Sequence, residues 1–288
     1  MKKTIIVTGS SSGFGLLTVK TLAAAGHTVY ATMRNIETKN APQVKELKEW
    51  ATANNADIRV FELDVTSDPS VNKAISDIAK DSNGKIDVLV NNAGLFVWGL
   101  SEEVTTSQLE DIFRINVFGV DRVIKAVLPY MRKQQDGLLI TISSGLARLH
   151  LPYLGAYQAT KAAVDVLGTT YHYELKKSGI DSLIIQPGAM KTDLFSKKLE
   201  AGNSAVVEAY GEYGQAIRRG IENMLSPTPE STDPQVVADA ILETIGKPKN
   251  ERKLWTVLGI GGLQPTVEAI NNSTGALSSG VMEHIGIS

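Results

Sequence analysis

Tyr157 and Lys161 lie four residues apart in the stretch Tyr157-Gln158-Ala159-Thr160-Lys161. On a helix, residues at this spacing are neighbours on one face, so the phenol and the ammonium group are predicted to point the same way. A phenol with its ordinary pKa of about 10 is a poor acid or base at neutral pH, and we expect the adjacent lysine to lower that pKa. The pair could give a proton to a carbonyl oxygen or take one from an alcohol. Alone the spacing is weak evidence, because tyrosine and lysine are common on solvated helix faces.

Two polar residues strengthen this interpretation. Ser144 follows a predicted strand and precedes Tyr157 by 13 positions, and its hydroxyl could hold a substrate oxygen. Asn116 falls within a predicted helix, where asparagine is a poor helix former. The alternatives are an unremarkable serine at a strand end and a buried amide that bonds a neighbouring carbonyl.

A glycine-rich turn runs from Thr8 to Gly15 and reads Thr-Gly-Ser-Ser-Ser-Gly-Phe-Gly. It directly follows the first predicted strand and opens the first predicted helix. Glycines let the backbone approach a pyrophosphate, whose charge meets the free N–H groups and the positive end of the helix dipole. Turns also collect glycine and serine for conformational reasons alone. The context favours a dinucleotide, held by Gly9, Ser11, Ser12, Gly13, Phe14 and Gly15.

The end of the second predicted strand indicates which dinucleotide. The stretch from Val29 to Asn35 contains no carboxylate that would bond the adenosine ribose, and it contains Arg34. An arginine there would pair with a 2′-phosphate, so NADP(H) is favoured over NAD(H), although Arg34 could be an ordinary surface residue. Asp64, at the end of the third predicted strand, could accept a hydrogen bond from the adenine amino group or cap the next turn.

Short β-branched runs alternate with helical patterns along most of the chain. This order predicts an α/β protein with a doubly wound parallel sheet, in which ligands bind at the carboxyl ends of the strands. The predicted strands are Thr4 to Thr8, Thr28 to Thr32, Ile58 to Leu63, Val88 to Asn91, Leu138 to Ser143, Ser182 to Gln186 and Leu254 to Leu258. The predicted helices are Gly13 to Ala25, Pro42 to Asn54, Pro69 to Ser82, Ser107 to Lys133, Ala156 to Lys177 and Pro234 to Ile245.

We expect a single domain over residues 1–288. Residues 188–225 show no clear strand, which predicts either a substrate-binding lid or a surface excursion without a role. Residues 260–288 form a C-terminal extension rich in glycine, serine and asparagine, either a loose tail or a subunit contact.

Composition excludes several function classes. A net charge of −2, with 21% charged residues, gives no positive potential that would attract nucleic acid or an acidic membrane. The apolar runs are far shorter than the roughly 18 residues of a membrane span, so we expect a cytoplasmic protein without one. The absence of cysteine excludes thiolate chemistry, and the four scattered histidines make a histidine-rich metal site improbable. No metal is expected.

Taken together, these motifs resemble the short-chain dehydrogenase/reductase family, in its smaller single-domain branch. The resemblance runs from Thr4 to about Leu258 and includes Asn91-Asn92-Ala93-Gly94 and Pro187-Gly188 followed by Thr192. It implies a proton-relay tetrad of Asn116, Ser144, Tyr157 and Lys161. It further implies cofactor contacts at Val65, Asn92, Ala93, Gly94, Tyr157, Lys161, Pro187, Gly188 and Thr192. Many NADP(H)-dependent relatives have a basic residue where this chain has Ser12. Arg34 is therefore expected to contribute most of the preference for NADP(H) over NAD(H).

The resemblance implies reduction of ketones or aldehydes, or the reverse oxidation, by hydride transfer with Tyr157 as the acid/base. The tract from Val29 to Asn35 is most similar to that of family members acting on hydroxysteroids and retinoids, a hint of lipophilic substrates. Substrate contacts are expected at Phe96, Ser144, Leu146, His150, Tyr153, Tyr157, Met190 and Phe195. We also expect a homodimer or homotetramer. Two alternatives stay open: a dinucleotide-sensing protein without turnover, and an epimerase or dehydratase of the same superfamily.

Overall fold

The structure, a computed structural model, describes residues 1–190, 198–203, 205–226 and 232–286. Its strands are β1 (Thr4–Thr8), β2 (Thr28–Met33), β3 (Ile58–Glu62), β4 (Val88–Asn91), β5 (Val97–Trp98), β6 (Gly137–Ile142), β7 (Ile180–Pro187), β8 (Leu199–Glu200) and β9 (Trp255–Leu258). Its α-helices are α1 (Gly13–Ala24), α2 (Ala41–Ala53), α3 (Asp68–Asp81), α4 (Thr106–Phe113), α5 (Gly119–Gln134), α6 (Gly155–Leu175), α7 (Ala205–Ala209), α8 (Gly211–Leu225), α9 (Gln235–Gly246) and α10 (Gln264–His284).

Seven strands form one sheet in the order β3-β2-β1-β4-β6-β7-β9, and all of its pairs are parallel. The chain builds outward from β1 in one direction and then, from β4, in the other. This reversal confirms the predicted doubly wound sheet and places the ligand crevice at the carboxyl ends of β1 and β4. The short strands β5 and β8 pair separately.

The sheet is apolar on both faces because helices cover both. In β1, Ile6 packs into one core cluster with residues of α3, α5 and α6, while its neighbours Ile5 and Val7 pack into the other with α1, α2 and α9. Successive side chains of a strand point to opposite faces, so a run of buried residues is what a sheet covered on both sides requires. The two clusters hold the carboxyl ends of the strands in fixed relative positions.

Three predicted features differ from the structure. The single helix predicted from Ser107 to Lys133 is two helices joined by the π-helical turn Arg114–Phe118. Residues 188–225 were predicted to contain no clear strand, but their described part contains the two-residue strand β8 as well as α7 and the amphipathic helix α8. The loose-tail alternative for residues 260–288 is wrong: α10 spans Gln264–His284 and buries Val267 and Asn271. Its few apolar residues share a helix with many small polar ones, which weakened the signal.

None of the helices in the described ranges is long and apolar enough to cross a membrane.

Candidate active site

The glycine-rich turn after β1 is shaped for close approach. Gly9 and Gly13 have φ angles of +68° and +55°, a region that glycine enters readily. A Cβ on Gly15 would lie 2.4 Å from the Gly9 carbonyl oxygen, so a side chain would fill the space between α1 and the turn. Asn92, after β4, donates from Nδ2 to the Thr8 and Gly9 carbonyls at 2.8 and 3.1 Å. The turn is thereby fixed at the amino end of α1, where the helix dipole favours an anion. This cradle fits a dinucleotide.

Thr8 is a member of this cradle that sequence reasoning did not assign. Its Oγ1 accepts from the backbone N–H groups of Asn92 and Ala93, each at 3.0 Å. These bonds join the ends of β1 and β4 side by side. The signal was present, because threonine opens the glycine motif, but its partner lies 84 residues away.

The loop after β2 presents Arg34 to solvent. Glu62, at the end of β3, accepts from the backbone N–H groups of Asn35 and Ile36 at 2.7 and 3.0 Å. Asn40 donates from Nδ2 to the Arg34 carbonyl at 2.6 Å. The backbone around Arg34 is therefore held while its guanidinium stays exposed, as a 2′-phosphate ligand requires. Glu62 was not singled out from the sequence, because an exposed glutamate at a strand end carries no local signal.

Asp64 makes the turn that was one of its two predicted roles. Its Oδ1 accepts from the backbone N–H and the hydroxyl of Thr66, at 2.9 and 2.8 Å. Val65 is buried beneath this turn, close to Gly119. The adenine contact of Asp64 stays a prediction.

Ser144 begins the 3₁₀ turn Gly145–Ala147 immediately after β6. Its Oγ accepts from the Leu146 N–H at 3.1 Å and donates to the Pro187 carbonyl at 3.4 Å. Burial raises the pKa of the Tyr157 phenol, and the nearby Ser144 hydroxyl opposes that rise. The ends of β6 and β7 and the helix α6 thus meet at one hydroxyl group.

Tyr157 and Lys161 are both buried on the first turns of α6. Lys161 donates from Nζ to the Ile142 carbonyl at 2.7 Å, and Nζ lies 5.6 Å from the centroid of the Tyr157 ring. Burial raises the pKa of Tyr157 well above its ordinary value and lowers the pKa of Lys161 to about 8. The predicted lowering of the tyrosine pKa by Lys161 is not seen in this structure, because burial of the phenol dominates its pKa and only the Ser144 hydroxyl opposes the rise.

Asn116 lies in the π-helical turn and joins three segments. Its Oδ1 accepts from the Leu95 N–H at 2.7 Å, and its Nδ2 donates to the Leu95 carbonyl and to Thr160 Oγ1 at 2.9 and 3.1 Å. Thr160 in turn donates to the Tyr157 carbonyl at 2.8 Å. The amide therefore bonds a neighbouring carbonyl, as the simpler alternative supposed. It also connects the loop after β4, which contains Leu95, to α6, the helix that carries Tyr157. π-helical turns are often found at functional sites.

The mouth of the site is apolar. Phe96 lies against Tyr157, edge to face, with ring centroids 4.9 Å apart. Both belong to a buried cluster that includes Tyr153 and Ile221, with Ile217 and Leu225 of α8 packed against it. Residues 217, 221 and 225 share one face of α8, so this helix covers the aromatic residues beside Tyr157.

A sequence profile described as short chain dehydrogenase matches residues 3–203. The chain belongs to the short-chain dehydrogenase family. It is 37% identical over 253 residues to an uncharacterized oxidoreductase, YusZ, of Bacillus subtilis, with 85% of each chain covered. A crystal structure of a short-chain dehydrogenase from Streptomyces avermitilis is 32% identical with a TM-score of 0.78, covering 99% of this chain and 98% of that one. A structure of ElxO with NADP bound is 27% identical with a TM-score of 0.73, and the match covers 92% of this chain and 100% of the ElxO chain.

Membership of the short-chain dehydrogenase family makes the chain an oxidoreductase, and most predicted site residues meet at one edge of its sheet. Asn92, Ser144 and Pro187 follow or end neighbouring strands, β4, β6 and β7. Ala93 and Gly94 continue the loop after β4, and a Cβ on Gly94 would lie 3.5 Å from Asn116 Oδ1.

The residues predicted to contact the substrate do not all lie beside Tyr157. Leu146 packs against the cluster around Tyr157, whereas His150 is exposed and Met190 packs toward the other face of the sheet. Tyr153 is buried against Trp98 and has a φ of +67°, a conformation that is strained for a non-glycine residue. Thr192 and Phe195 lie outside the described residues. The substrate roles of all these residues stay predictions.

Proposed function

We propose that this short-chain dehydrogenase is an NADP(H)-dependent carbonyl reductase, which reduces ketones or aldehydes to alcohols and can run in reverse. The observation that carries the proposal is that Ser144, Tyr157 and Lys161 gather at the same edge of the sheet as the glycine-rich turn. The cofactor assignment is supported by the cradle at Gly9 and Gly15, by Arg34, and by ElxO, which has NADP bound.

Each polar residue has a role that its contacts support. Ser144 would hold the substrate oxygen, and Tyr157, kept protonated by its burial, would donate the proton as the oxygen gains charge. Lys161 would hold the ribose of the cofactor, while Asn116 fixes the position of α6 through Thr160. The bound dinucleotide supplies the hydride.

The substrate we propose is lipophilic. Aromatic and aliphatic side chains of β5, α6 and α8 pack around Tyr157, which is itself buried. A small polar alcohol would leave this apolar surface uncovered, whereas a bulky ketone would bury it. The α8 helix would serve as part of the predicted lid.

The proposed assembly is a homodimer or homotetramer, and the proposed compartment is the cytoplasm. Phe118 and Val166 are large apolar residues that are 55% and 62% exposed in the single chain. Their exposure supports a subunit contact. Treating the whole chain as one domain belongs to the same proposal.

The proposal is tested by following NADPH absorbance with a panel of lipophilic ketones and aldehydes. We expect net consumption by the native chain, loss of turnover by at least about a hundredfold in Tyr157→Phe, and unchanged NADPH binding, since only the proton donor is removed. Tyr173→Phe is the matched control, because Tyr173 lies on the same helix beside His172.

Two results would contradict the proposal. NADPH binding without consumption across the whole panel would favour a dinucleotide-sensing protein. A Tyr157→Phe variant with near-normal kcat would remove the tyrosine from the mechanism.

A further inference from the structure

A buried polar network lies behind the site, and the carboxylate of Asp165 is at its centre. Asp165 is 1% exposed. Its Oδ1 accepts from Arg148 Nη2 at 2.7 Å and from Trp255 Nε1 at 3.1 Å, and its Oδ2 accepts from Gln186 Nε2 at 2.7 Å. Asn271 of α10 completes the network: it accepts from Arg148 Nε at 2.9 Å and donates to Gln186 Oε1 at 2.7 Å. We call these five residues the Asp165 network.

Three members of the network are joined to the residues proposed to do the chemistry. Arg148 ends the 3₁₀ turn that Ser144 begins. Asp165 lies one helical turn beyond Lys161 on α6. Gln186 precedes Pro187, whose carbonyl accepts the hydrogen bond from Ser144. The network therefore links the three segments that must keep their relative positions for proton transfer.

The fourth segment in the network is the C-terminal part of the chain, which also presses directly on the same loops. The Gly188 N–H donates to the Leu258 carbonyl at 2.7 Å. A Cβ on Gly188 would lie 2.2 Å from the Gly259 carbonyl oxygen, and one on Gly145 would lie 2.2 Å from Ile260 Cδ1. The segment between β9 and α10 thus packs against the turn after Ser144 through Ile260 and against the Pro187-Gly188 loop through its backbone, which leaves no room for a side chain at Gly188.

The energetics of a buried charge pair make this arrangement sensitive to each partner. A buried ion pair needs hydrogen bonds to its remaining polar atoms, and removing one partner leaves a group that neither water nor protein satisfies. Without Asn271, Gln186 Oε1 would lose its partner in a buried position and Arg148 Nε would lose its partner in a partly buried one. Both side chains would have to move to recover hydrogen bonds, and the backbone of their loops would move with them.

We infer that Asn271 is a positioning residue of the proposed reductase, through which the C-terminal helix sets the placement of Ser144 and of the Pro187-Gly188 loop. The inference rests on the proposed function. It assigns α10 a role in catalysis although this helix lies outside the 3–203 span matched by the family profile.

The test compares Asn271→Leu with two controls. Asn272→Leu makes the same change at the next position on α10, where the side chain is exposed. Val71→Ala weakens the core at α3, away from the network, and reproduces a loss of stability without touching the site. For each variant, kcat and KM are measured well below the melting temperature, and the Kd for NADPH is measured by fluorescence titration.

We expect Asn271→Leu to lower kcat by at least about tenfold and to weaken NADPH binding, because misplacement of reacting groups by about 1 Å has such effects. Both controls should keep kcat and Kd near the native values. Trp255→Phe removes one hydrogen bond to Asp165 and keeps the ion pair, so it should shift kcat in the same direction by less. If Asn271→Leu does not fold, the kcat of Trp255→Phe tests the inference instead.

If Asn271→Leu only lowers the melting temperature, with kcat and Kd equal to those of Asn272→Leu, the network is a structural brace and the inference is overturned while the proposed function stands. If the native chain consumes no NADPH, the proposed function fails, and the NADPH Kd alone decides whether Asn271 positions the cofactor loop. Native-like Kd values in Asn271→Leu would then overturn the inference.

Discussion

Tyr157 and Lys161 show what burial does to a proton-transfer pair. The same loss of solvent raises the pKa of the phenol and lowers the pKa of the ammonium to about 8, so both shifts favour the neutral form. At neutral pH the tyrosine holds its proton, which is the state needed to reduce a carbonyl. The spacing of the two residues identified the pair, but only the structure shows that the lysine reaches the Ile142 carbonyl and the face of the ring.

Because the pKa of Lys161 is about 8, we expect NADPH binding to weaken as the pH rises through that value. Below pH 8 the ammonium is charged and attracts the anionic dinucleotide, and above it the charge is lost. The Kd, measured by fluorescence titration between about pH 6.5 and 9.5, should rise by up to about tenfold per pH unit above 8. Lys161→Arg, which keeps its charge, should show a flatter profile. A Kd for the native chain that does not change over this range would contradict the prediction.

Arg34 is expected to select NADPH over NADH. Arg34→Asp should change the ratio of kcat/KM for the two cofactors by about tenfold to a hundredfold in favour of NADH, because it replaces an attraction for the 2′-phosphate with a repulsion. Arg132→Asp, on the exposed end of α5, makes the same charge change away from the cradle. An unchanged ratio in Arg34→Asp would remove this residue from cofactor selection.

At the scale of elements, local patterns predicted the regular parts of the fold well. The bounds of β1 and β4 are as predicted, since β-branched runs bounded by turn residues are a local signal. The π-helical turn was missed because the contact that Asn116 makes from it, to Leu95, spans 21 residues and leaves no local signal. The α8 helix was missed although its apolar residues recur at helical spacing, and α10 was missed because small polar residues dominate it.

Two helical glycines offer a test of the cradle. Gly15→Ala places a Cβ 2.4 Å from the Gly9 carbonyl oxygen and 2.5 Å from Asn92 Nδ2, so α1 must move away from the turn. We expect a lower melting temperature and at least about tenfold weaker NADPH binding, measured by thermal unfolding and fluorescence titration. Gly220→Ala, inside α8, meets open space and should stabilise the chain by about 0.5–1 kcal/mol. If both variants bound NADPH like the native chain, the close contact at Gly15 would have no role in binding.

At the scale of the whole molecule, the site is assembled from segments between Gly9 and Asn271. Sequence reasoning could bring Asn92, Ser144 and Tyr157 together because a doubly wound sheet delivers the carboxyl ends of its strands to one edge. It could not find the Asp165 network, whose partners are as far apart as 123 residues and carry no motif. Such contacts exist only after the sheet has fixed the loops, which is why they were absent from the prediction.

The stability of the whole chain should fall as the pH drops from 7 to 5. Burial lowers the pKa of both His27 and His172 below the usual value of about 6.5, so the unfolded chain binds more protons than the folded chain in this range. The structural reason is plainest at His27, whose Nδ1 accepts a hydrogen bond from the Lys3 N–H at 3.2 Å and cannot do so when protonated. Urea unfolding at pH 7, 6 and 5 should therefore show a falling midpoint, and the double variant His27→Gln, His172→Gln should show a shallower fall. His150→Gln, at an exposed position, should follow the native profile. The contribution of these two histidines is complete once they are protonated in the folded chain as well. If the midpoint fell equally steeply in the double variant, the acid sensitivity would belong to other groups.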